Sequence, residues 1–261
     1  MSAPIALEPH LRSLRDGGRK LLVPYVTGGL SPEWCEVVRA FADAGADAIE
    51  IGLPFSDPVM DGPTIQEASQ RALDGGATPA AIVAALADVD VHVPLVAMTY
   101  YNLVFRAGHE RFASSLVSGG VSGAIVPDVP LDELDPWAAA ADAAGVATVL
   151  LASPVTPDER LARIAARSRG FVYGVGLMGV TGERERVAST ATIMAKRLKA
   201  VTDLPVVIGF GVSTPQHAVE LCAEADGVVI ASALMRRMLD GASVAELGDQ
   251  LHAVRVALGR G

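Results

Sequence analysis

The sequence predicts a closed parallel (β/α)8 barrel, a TIM barrel of the α/β class, formed by residues 1–261 as a single domain. Eight short apolar segments alternate with helical segments along the 261 residues. They recur every 25 to 40 residues or so, roughly the spacing of successive βα units. Each segment is apolar on both faces, as expected for parallel strands that helices cover. The strand number favours a closed barrel over an open sheet.

The predicted strands are brief, β-branched runs that end at Gly, Pro or a polar turn. In order, they cover residues 21–26, 46–51, 93–99, 123–126, 147–151, 171–175, 206–209 and 227–230. Helices begin at capping residues followed by proline, as at Ser31-Pro32 and Thr78-Pro79. They cover residues 7–15, 31–44, 64–73, 78–86, 109–117, 132–144, 156–166, 189–201, a segment behind 213–215, 233–239 and 243–258. Extra helices therefore lie at the amino terminus, after strand 2 and after strand 8, and residues 176–188 form a long loop.

The charge balance disfavours nucleic acid and anionic membranes as partners. The chain has 21 Lys and Arg against 30 Asp and Glu, and the sequence has no concentrated positive patch. No stretch approaches the roughly 18 apolar residues of a membrane span, and the first residues lack the apolar core of a signal peptide. Cys35 and Cys222 lie far apart in helical stretches, which favours free thiols in a reducing compartment. We expect a cytoplasmic protein whose partner is a small molecule or another protein.

The strongest functional signal is a pair of acids around strand 2. Glu50 lies on the strand itself, where a carboxylate costs several kcal/mol, roughly, to desolvate unless it is paired, protonated or facing a cavity. Asp61 follows in a proline-rich loop, just before Pro63 begins a helix. Two such carboxylates can divide acid and base roles if their surroundings separate their pKa values. Alternatively, Glu50 is satisfied by a neighbour inside the fold or faces solvent from an edge.

Other polar residues follow the strands at the same end of the predicted barrel, where barrel enzymes place their chemistry. Tyr100 and Asn102 follow strand 3, Asp128 follows strand 4, and Tyr173 lies within strand 6. Tyr173 also fits a core position with its hydroxyl at the wet rim. Asp128, between two prolines, also fits a simple turn.

Small residues after strands 6, 7 and 8 predict a phosphate site. They are Thr181-Gly182, Gly209-Phe210-Gly211 and Ala231-Ser232. Backbone amides and a helix amino terminus there would bind a phosphorylated substrate without Lys or Arg. A Gly-x-Gly pattern alone is weak evidence for a phosphate site, because most such patterns are simple turns.

The sequence indicates neither a metal nor a covalent mechanism. The five histidines have no ligand spacing and no acid or Cys beside them in a metal pattern: His10, His92, His109, His217 and His252. No Ser lies in a nucleophile elbow. Of the three lysines, Lys196 and Lys199 belong on a helix away from the mouth, so a Schiff base lacks its amine.

Residues 49–58 and 61–66 resemble the signature of the tryptophan synthase α subunit family. Five further segments match that family in order, so the resemblance spans nearly the whole chain: residues 24–27, 101–105, 127–130, 179–182 and 209–213. The resemblance implies a lyase that cleaves indole-3-glycerol phosphate, by a retro-aldol step, to indole and glyceraldehyde 3-phosphate.

The resemblance also implies roles for individual residues. Glu50 would be the general acid–base, Asp61 would pair with the indole N–H, and Tyr173 would lie beside the indole. Substrate-binding residues would be Tyr25, Tyr100, Thr181, Gly182, Phe210, Gly211, Ala231 and Ser232, with the phosphate on Gly182, Gly211, Ala231 and Ser232. The family commonly has Gly where this chain has Ala231, and some members carry an Arg near Leu177-Met178.

A protein partner is implied as well. The family pairs with a β subunit in an α2β2 tetramer, and pyridoxal phosphate belongs to that partner, so this chain would need no cofactor. Independently, two segments are very apolar for exposed loops: Pro54, Phe55, Pro58, Val59 and Met60, then Leu103, Val104 and Phe105. They predict an interface, unless they fold back over the rim. Residues 182–186 would form a mobile lid or a solvated turn.

The residues by themselves allow two other functions. One is a phosphate-binding isomerase or epimerase, and the other is a non-catalytic subunit that only activates a β subunit. The scarcity of clustered His or metal ligands counts against the first. The pair Glu50 and Asp61 counts against the second.

Overall fold

The computed structural model describes residues 4–175, 184–209 and 211–259. Eight parallel strands pair in sequence order, and β8 pairs with β1 to close the barrel. The predicted (β/α)8 barrel is therefore confirmed. The strands are β1 Leu21–Thr27, β2 Ile49–Gly52, β3 Leu95–Met98, β4 Val121–Ile125, β5 Ala147–Ala152, β6 Val172–Val175, β7 Val206–Gly209 and β8 Gly227–Ile230.

The helices surround the barrel, and several strands are followed by two. Within the described ranges they are α1 Leu7–Asp16, α2 Trp34–Asp43, α3 Pro63–Asp74, α4 Pro79–Leu86, α5 Tyr101–Ala107, α6 His109–Ser118, α7 Asp135–Ala144, α8 Asp158–Arg167, α9 Arg184–Lys199, α10 Pro215–Leu221, α11 Ser232–Leu239 and α12 Val244–Leu258, with a 3-10 turn at Leu131–Glu133. No helix in this part of the chain is long and apolar enough to cross a membrane.

Helix α5 was absent from the prediction, which had residues 101–105 as a loop. The helix begins where the Asp128 carboxylate accepts a hydrogen bond from the Tyr101 backbone N–H, at 2.8 Å. That contact joins residues 27 positions apart, so the local sequence pattern does not show it. Asp128 thus holds the amino end of a helix, which agrees with its interpretation as a turn residue.

Four helix starts also differ from the prediction. Helix α7 begins at Asp135 and not at residue 132, behind the 3-10 turn. Helix α2 begins at Trp34 behind Glu33 with no side-chain cap, so Ser31 does not cap it. Helix α8 begins behind Pro157, because the Thr156 hydroxyl accepts from the Ser153 backbone N–H instead. Helix α9 begins at Arg184 and not at residue 189, so the end of the predicted loop and lid is helical.

The amino-terminal end of the barrel is closed by α1. Leu7 and Leu11 are fully buried and pack with the inward side chains of the strands. A Cβ placed on Gly123 would stand 2.7 Å from the Leu7 side chain, and one on Gly170 would stand 2.6 Å from it. Glycine at both positions therefore lets α1 close this end, which leaves the carboxyl-terminal mouth of the barrel for a ligand.

A buried carboxylate ties the last helix to this closed end. Asp47, just before β2, accepts from the Leu22 backbone N–H at 2.8 Å. It also forms salt bridges with Arg19 at 2.6 Å and with Arg255 of α12 at 2.9 Å. A buried acid with three donors is satisfied, so Asp47 serves stability.

Candidate active site

Glu50 faces the interior of the barrel near its mouth. Side chains alternate along a strand, and Ile49 and Ile51 pack outward against the helices, so Glu50 points inward above Ala48. It lies level with Tyr25 of β1 and Val96 of β3. The Glu50 residue is 2% exposed, and among the described residues no group hydrogen-bonds its Oε2. This environment fits neither alternative for Glu50, a carboxylate satisfied by a neighbour inside the fold or one that faces solvent from an edge.

The surroundings of Glu50 favour its protonated form. Burial raises the pKa of Glu50 to about 8, and the negative charge of Asp61 adds to the rise. Both causes penalise the ionised carboxylate, since it would lose water and face a like charge. Glu50 is therefore mostly protonated at neutral pH.

Asp61 is the second acid of the mouth, on the loop between β2 and α3. Its backbone N–H donates to the Pro58 carbonyl at 3.0 Å. Burial raises the pKa of Asp61 to about 6, while a hydrogen bond from the Tyr100 hydroxyl opposes the rise. At neutral pH Asp61 is thus mostly ionised and Glu50 protonated, the division of roles that acid–base chemistry needs.

Tyr100, just after β3, connects this loop to the barrel. Its hydroxyl accepts a hydrogen bond from the Met60 backbone N–H at 3.0 Å and also contacts the Asp61 carboxylate. Its ring stacks on Phe55, with the ring centroids 5.2 Å apart. The side chain therefore fixes the loop that carries Asp61.

Two buried tyrosines, Tyr25 of β1 and Tyr173 of β6, line the mouth together with Glu50. A Cβ on Gly52 would stand 1.8 Å from the Tyr25 hydroxyl, and one on Gly209 would stand 2.5 Å from the Tyr173 hydroxyl. Glycine at the ends of β2 and β7 thus makes room for the tyrosines. Burial raises the pKa of both, and the charge of Glu50 contributes. Both hydroxyls therefore stay protonated.

The predicted phosphate side is partly described. Strands β7 and β8 are neighbours, so Gly211 and Ala231, which follow them, lie at the same end of the barrel. Gly211 has φ +64, in the left-handed region that favours glycine. Ala231 and Ser232 begin α11 without a side-chain cap, which leaves backbone amides of its first turn open to an anion. Thr181, Gly182 and Phe210, with Leu177 and Met178, lie outside the described residues.

The described part of the chain holds no group of three or more His, Cys, Asp and Glu side chains that could bind a metal ion.

A family model decides the relationship of this chain to known proteins. The model described as "Tryptophan synthase alpha chain" matches residues 11–256. This chain belongs to the tryptophan synthase alpha chain family. The resemblance stated from the sequence motifs is confirmed.

Relatives and solved structures of the family agree along the whole chain. A tryptophan synthase alpha chain of Thermobifida fusca is 40% identical over 98% of this chain and 97% of its own length. One of Methanosarcina mazei is 44% identical over 91% of this chain and 87% of its own. A structure of Mycobacterium tuberculosis tryptophan synthase superposes with a TM-score of 0.89 at 36% identity, over 98% of this chain and 99% of that one. The alpha subunit from Legionella pneumophila has a TM-score of 0.89 at 27% identity, over the full length of both.

The structure brings together most of the residues that the family motifs single out. Tyr25, Glu50, Asp61, Tyr100 and Tyr173 interact electrostatically in one mouth. The bonds that hold the Asp61 loop were missed, because they depend on the path of the loop. The only sign of these bonds in the sequence was Gln66, the last residue of the motif formed by residues 61–66.

The predicted interface segments behave in two ways. Pro54 and Val104 are buried, so they fold back into the rim. In contrast, Val59 is 69%, Met60 46% and Phe105 64% exposed. An apolar rim of Val59, Met60 and Phe105 therefore faces outward beside the mouth.

Proposed function

We propose that Glu50 makes the proton transfers, and Asp61 stabilises the developing charge, in the reaction that family membership assigns to this chain. That reaction is the lyase step of tryptophan biosynthesis, the retro-aldol cleavage of indole-3-glycerol phosphate to indole and glyceraldehyde 3-phosphate. The observation that supports these roles is the buried Glu50 carboxyl group, whose Oε2 has no hydrogen-bond partner among the described residues, beside the more acidic Asp61.

Glu50 acts first as an acid and then as a base. Its proton goes to the indole carbon that bears the glycerol chain, and positive charge develops on the ring nitrogen. The Asp61 carboxylate accepts a hydrogen bond from the ring N–H and stabilises that charge. The ionised Glu50 then takes the proton of the hydroxyl group on the adjacent carbon. The carbon–carbon bond breaks, its electron pair returns to the ring, and an aldehyde forms while Glu50 regains a proton.

The remaining residues of the mouth bind and orient the substrate. Tyr25, Tyr100 and Tyr173 present aromatic surface and protonated hydroxyls to the indole and glycerol parts. The family motifs add Thr181 and Phe210 to the substrate-binding residues. The phosphate lies on backbone amides of Gly182, Gly211, Ala231 and Ser232, where the amino end of α11 adds positive potential. The Ala231 methyl group leaves the amide donor in place.

A β subunit completes the assembly. The apolar rim of Val59, Met60 and Phe105 lies where indole would leave the mouth, and this rim supports docking of the partner there. The proposed complex is an α2β2 tetramer in the cytoplasm, in which pyridoxal phosphate belongs to the β subunit and this chain works without a cofactor. The whole chain, residues 1–261, acts as one catalytic domain.

The test is a steady-state assay of indole formation from indole-3-glycerol phosphate, with and without a β subunit. Wild type should form indole and glyceraldehyde 3-phosphate in equal amounts. Asp61→Asn should lower kcat by about 100-fold or more, because the developing charge loses its counter-charge. The matched control is Asp128→Asn, which changes an acid whose hydrogen bond holds the start of α5, and this variant should keep most of the activity.

Two results would refute the proposal. Full activity of Asp61→Asn would remove its assigned role. Absence of indole from wild type, while the protein still activates a β subunit or isomerises a sugar phosphate such as ribulose phosphate, would favour one of the two alternative functions.

A further inference from the structure

Gln66 makes two hydrogen bonds that no part of the proposed mechanism uses. It is the fourth residue of α3, which begins at Pro63. Its side-chain Nε2 donates to the Asp61 backbone carbonyl at 2.9 Å and to the Pro58 carbonyl at 3.4 Å. The same turn is closed by the bond from the Asp61 N–H to the Pro58 carbonyl. One amide group thus holds both ends of the turn that delivers Asp61.

This stretch of loop has few other restraints. Gly62, the residue before α3, has no side chain to cap the helix, and a Cβ there would meet nothing within 4 Å. The neighbouring Val59 and Met60 side chains point into solvent. From the barrel side, the loop is held by Tyr100 through the Met60 N–H. Gln66 holds it from the opposite, solvent side.

We infer that Gln66 is a positioning residue, whose side-chain amide keeps the β2–α3 loop in the conformation that presents Asp61 to the mouth. This inference rests on the proposed role of Asp61. Among the residues with described positions, the Gln66 side chain donates only to backbone carbonyls, so it acts through the loop and not on the reacting atoms.

Release of the loop would change the titration of Asp61. Burial is the main cause of its raised pKa, and the bond from Tyr100 opposes that rise. A freed loop would give Asp61 more water, so its pKa would fall toward the ordinary Asp value despite the loss of the Tyr100 bond. A purely structural role of Gln66 in α3 would leave this titration unmoved.

The chain offers a matched control in Gln70, one turn further along α3. Its side-chain amide donates to Asp74 at 2.8 Å, away from the loop. Gln66 and Gln70 line the same surface groove of about 350 Å³. Replacing either by Leu therefore removes one exposed amide from the same part of the same helix, and only Gln66→Leu frees the Asp61 turn.

The experiment compares Gln66→Leu, Gln66→Lys and Gln70→Leu with wild type in the indole assay and by ¹³C NMR titration of the Asp61 carboxyl group, assigned with Asp61→Asn. Loss of two neutral hydrogen bonds should lower kcat of Gln66→Leu about tenfold, with KM changed less. Its Asp61 should titrate at lower pH than in wild type. Gln66→Lys restores a donor and should recover part of kcat, but its positive charge beside the Asp61 turn would itself lower the Asp61 pKa, so only kcat is compared for this variant. Gln70→Leu should match wild type in both kcat and titration.

Three outcomes would overturn the inference. The first is a Gln66→Leu variant with wild-type kcat and titration. The second is a loss of kcat without a shift in the Asp61 titration, which would place the effect elsewhere. The third is an equal effect of Gln70→Leu, which would indicate a general property of α3. If Asp61→Asn kept full activity, the proposed mechanism would fail, but the titration would still report whether Gln66 positions the loop.

Discussion

Replacing Glu50 by Gln should stabilise the fold at alkaline pH and have little effect on stability at acid pH. The folded pKa of Glu50 is raised from 4.5 to about 8. Between these values the folded chain keeps a proton that the unfolded chain has released. The free energy of unfolding therefore falls as pH rises through this window. The stability contributed by the bound proton is complete below pH 4.5 and lost above pH 8.

The size of the effect follows from the pKa difference. At about 1.4 kcal/mol per pH unit, the burial of Glu50 lowers the unfolding free energy by about 3–5 kcal/mol once the pH exceeds the folded pKa. Gln has a similar shape and does not ionise, so it avoids this cost. The difference in unfolding free energy between variant and wild type should thus be under about 1 kcal/mol at pH 5 and several kcal/mol at pH 8.5.

The assay is urea unfolding of both proteins, followed by circular dichroism at pH 5 and pH 8.5. The comparison at pH 5 is the internal control, because it measures every effect of the substitution except ionisation. An equal difference in unfolding free energy at the two pH values would refute the reasoning, since Glu50 would then titrate alike in the folded and unfolded chains.

Two further substitutions separate the mouth from the closed end. Gly209→Ala places a Cβ 2.5 Å from the Tyr173 ring. The variant should lose about 1–3 kcal/mol of unfolding free energy in urea and have a higher KM for indole-3-glycerol phosphate. An unchanged KM would exclude Tyr173 from the substrate lining. Asp47→Ala leaves Arg19 and Arg255 without their buried acceptor and should lower the unfolding free energy by about 3–5 kcal/mol. The kcat per folded molecule should stay at the wild-type value. A loss of kcat would contradict a purely structural role of Asp47.

The barrel could be predicted because strands leave a strong local signal. Residues 206–209 and 227–230 are short apolar runs with glycine at one end, and the structure has β7 and β8 at those same positions. Helix starts were predicted where a side-chain cap forms, as at Thr78, Thr214 and Ser243. These features depend on neighbours within a few residues.

The prediction failed where distant contacts decide the local structure. Helix α5 has only seven residues, and its amino end is held by Asp128 from the next strand end. Ser31 precedes a turn, and α2 begins behind Glu33. A short segment of mixed propensity takes the conformation that its surroundings impose.

The residues of the candidate site could likewise be predicted where the signal is local and not where it depends on distant contacts. Glu50 could be singled out because strand alternation places an acid among inward apolar residues, and Asp61 because it follows in the same unit. The contacts of Tyr100 with Met60 and of Gln66 with Pro58 depend on the path of the loop. No residue spacing encodes that path.

Indole formation by Glu50→Gln tests the proton-transfer mechanism most directly. A single-turnover assay with indole-3-glycerol phosphate, together with a measurement of substrate affinity, separates chemistry from binding. The variant should bind substrate about as tightly as wild type and form indole about 100- to 10,000-fold more slowly, because the group that gives and takes the proton is missing. Indole formation within tenfold of wild type would contradict the role of Glu50 as the acid and base of this reaction.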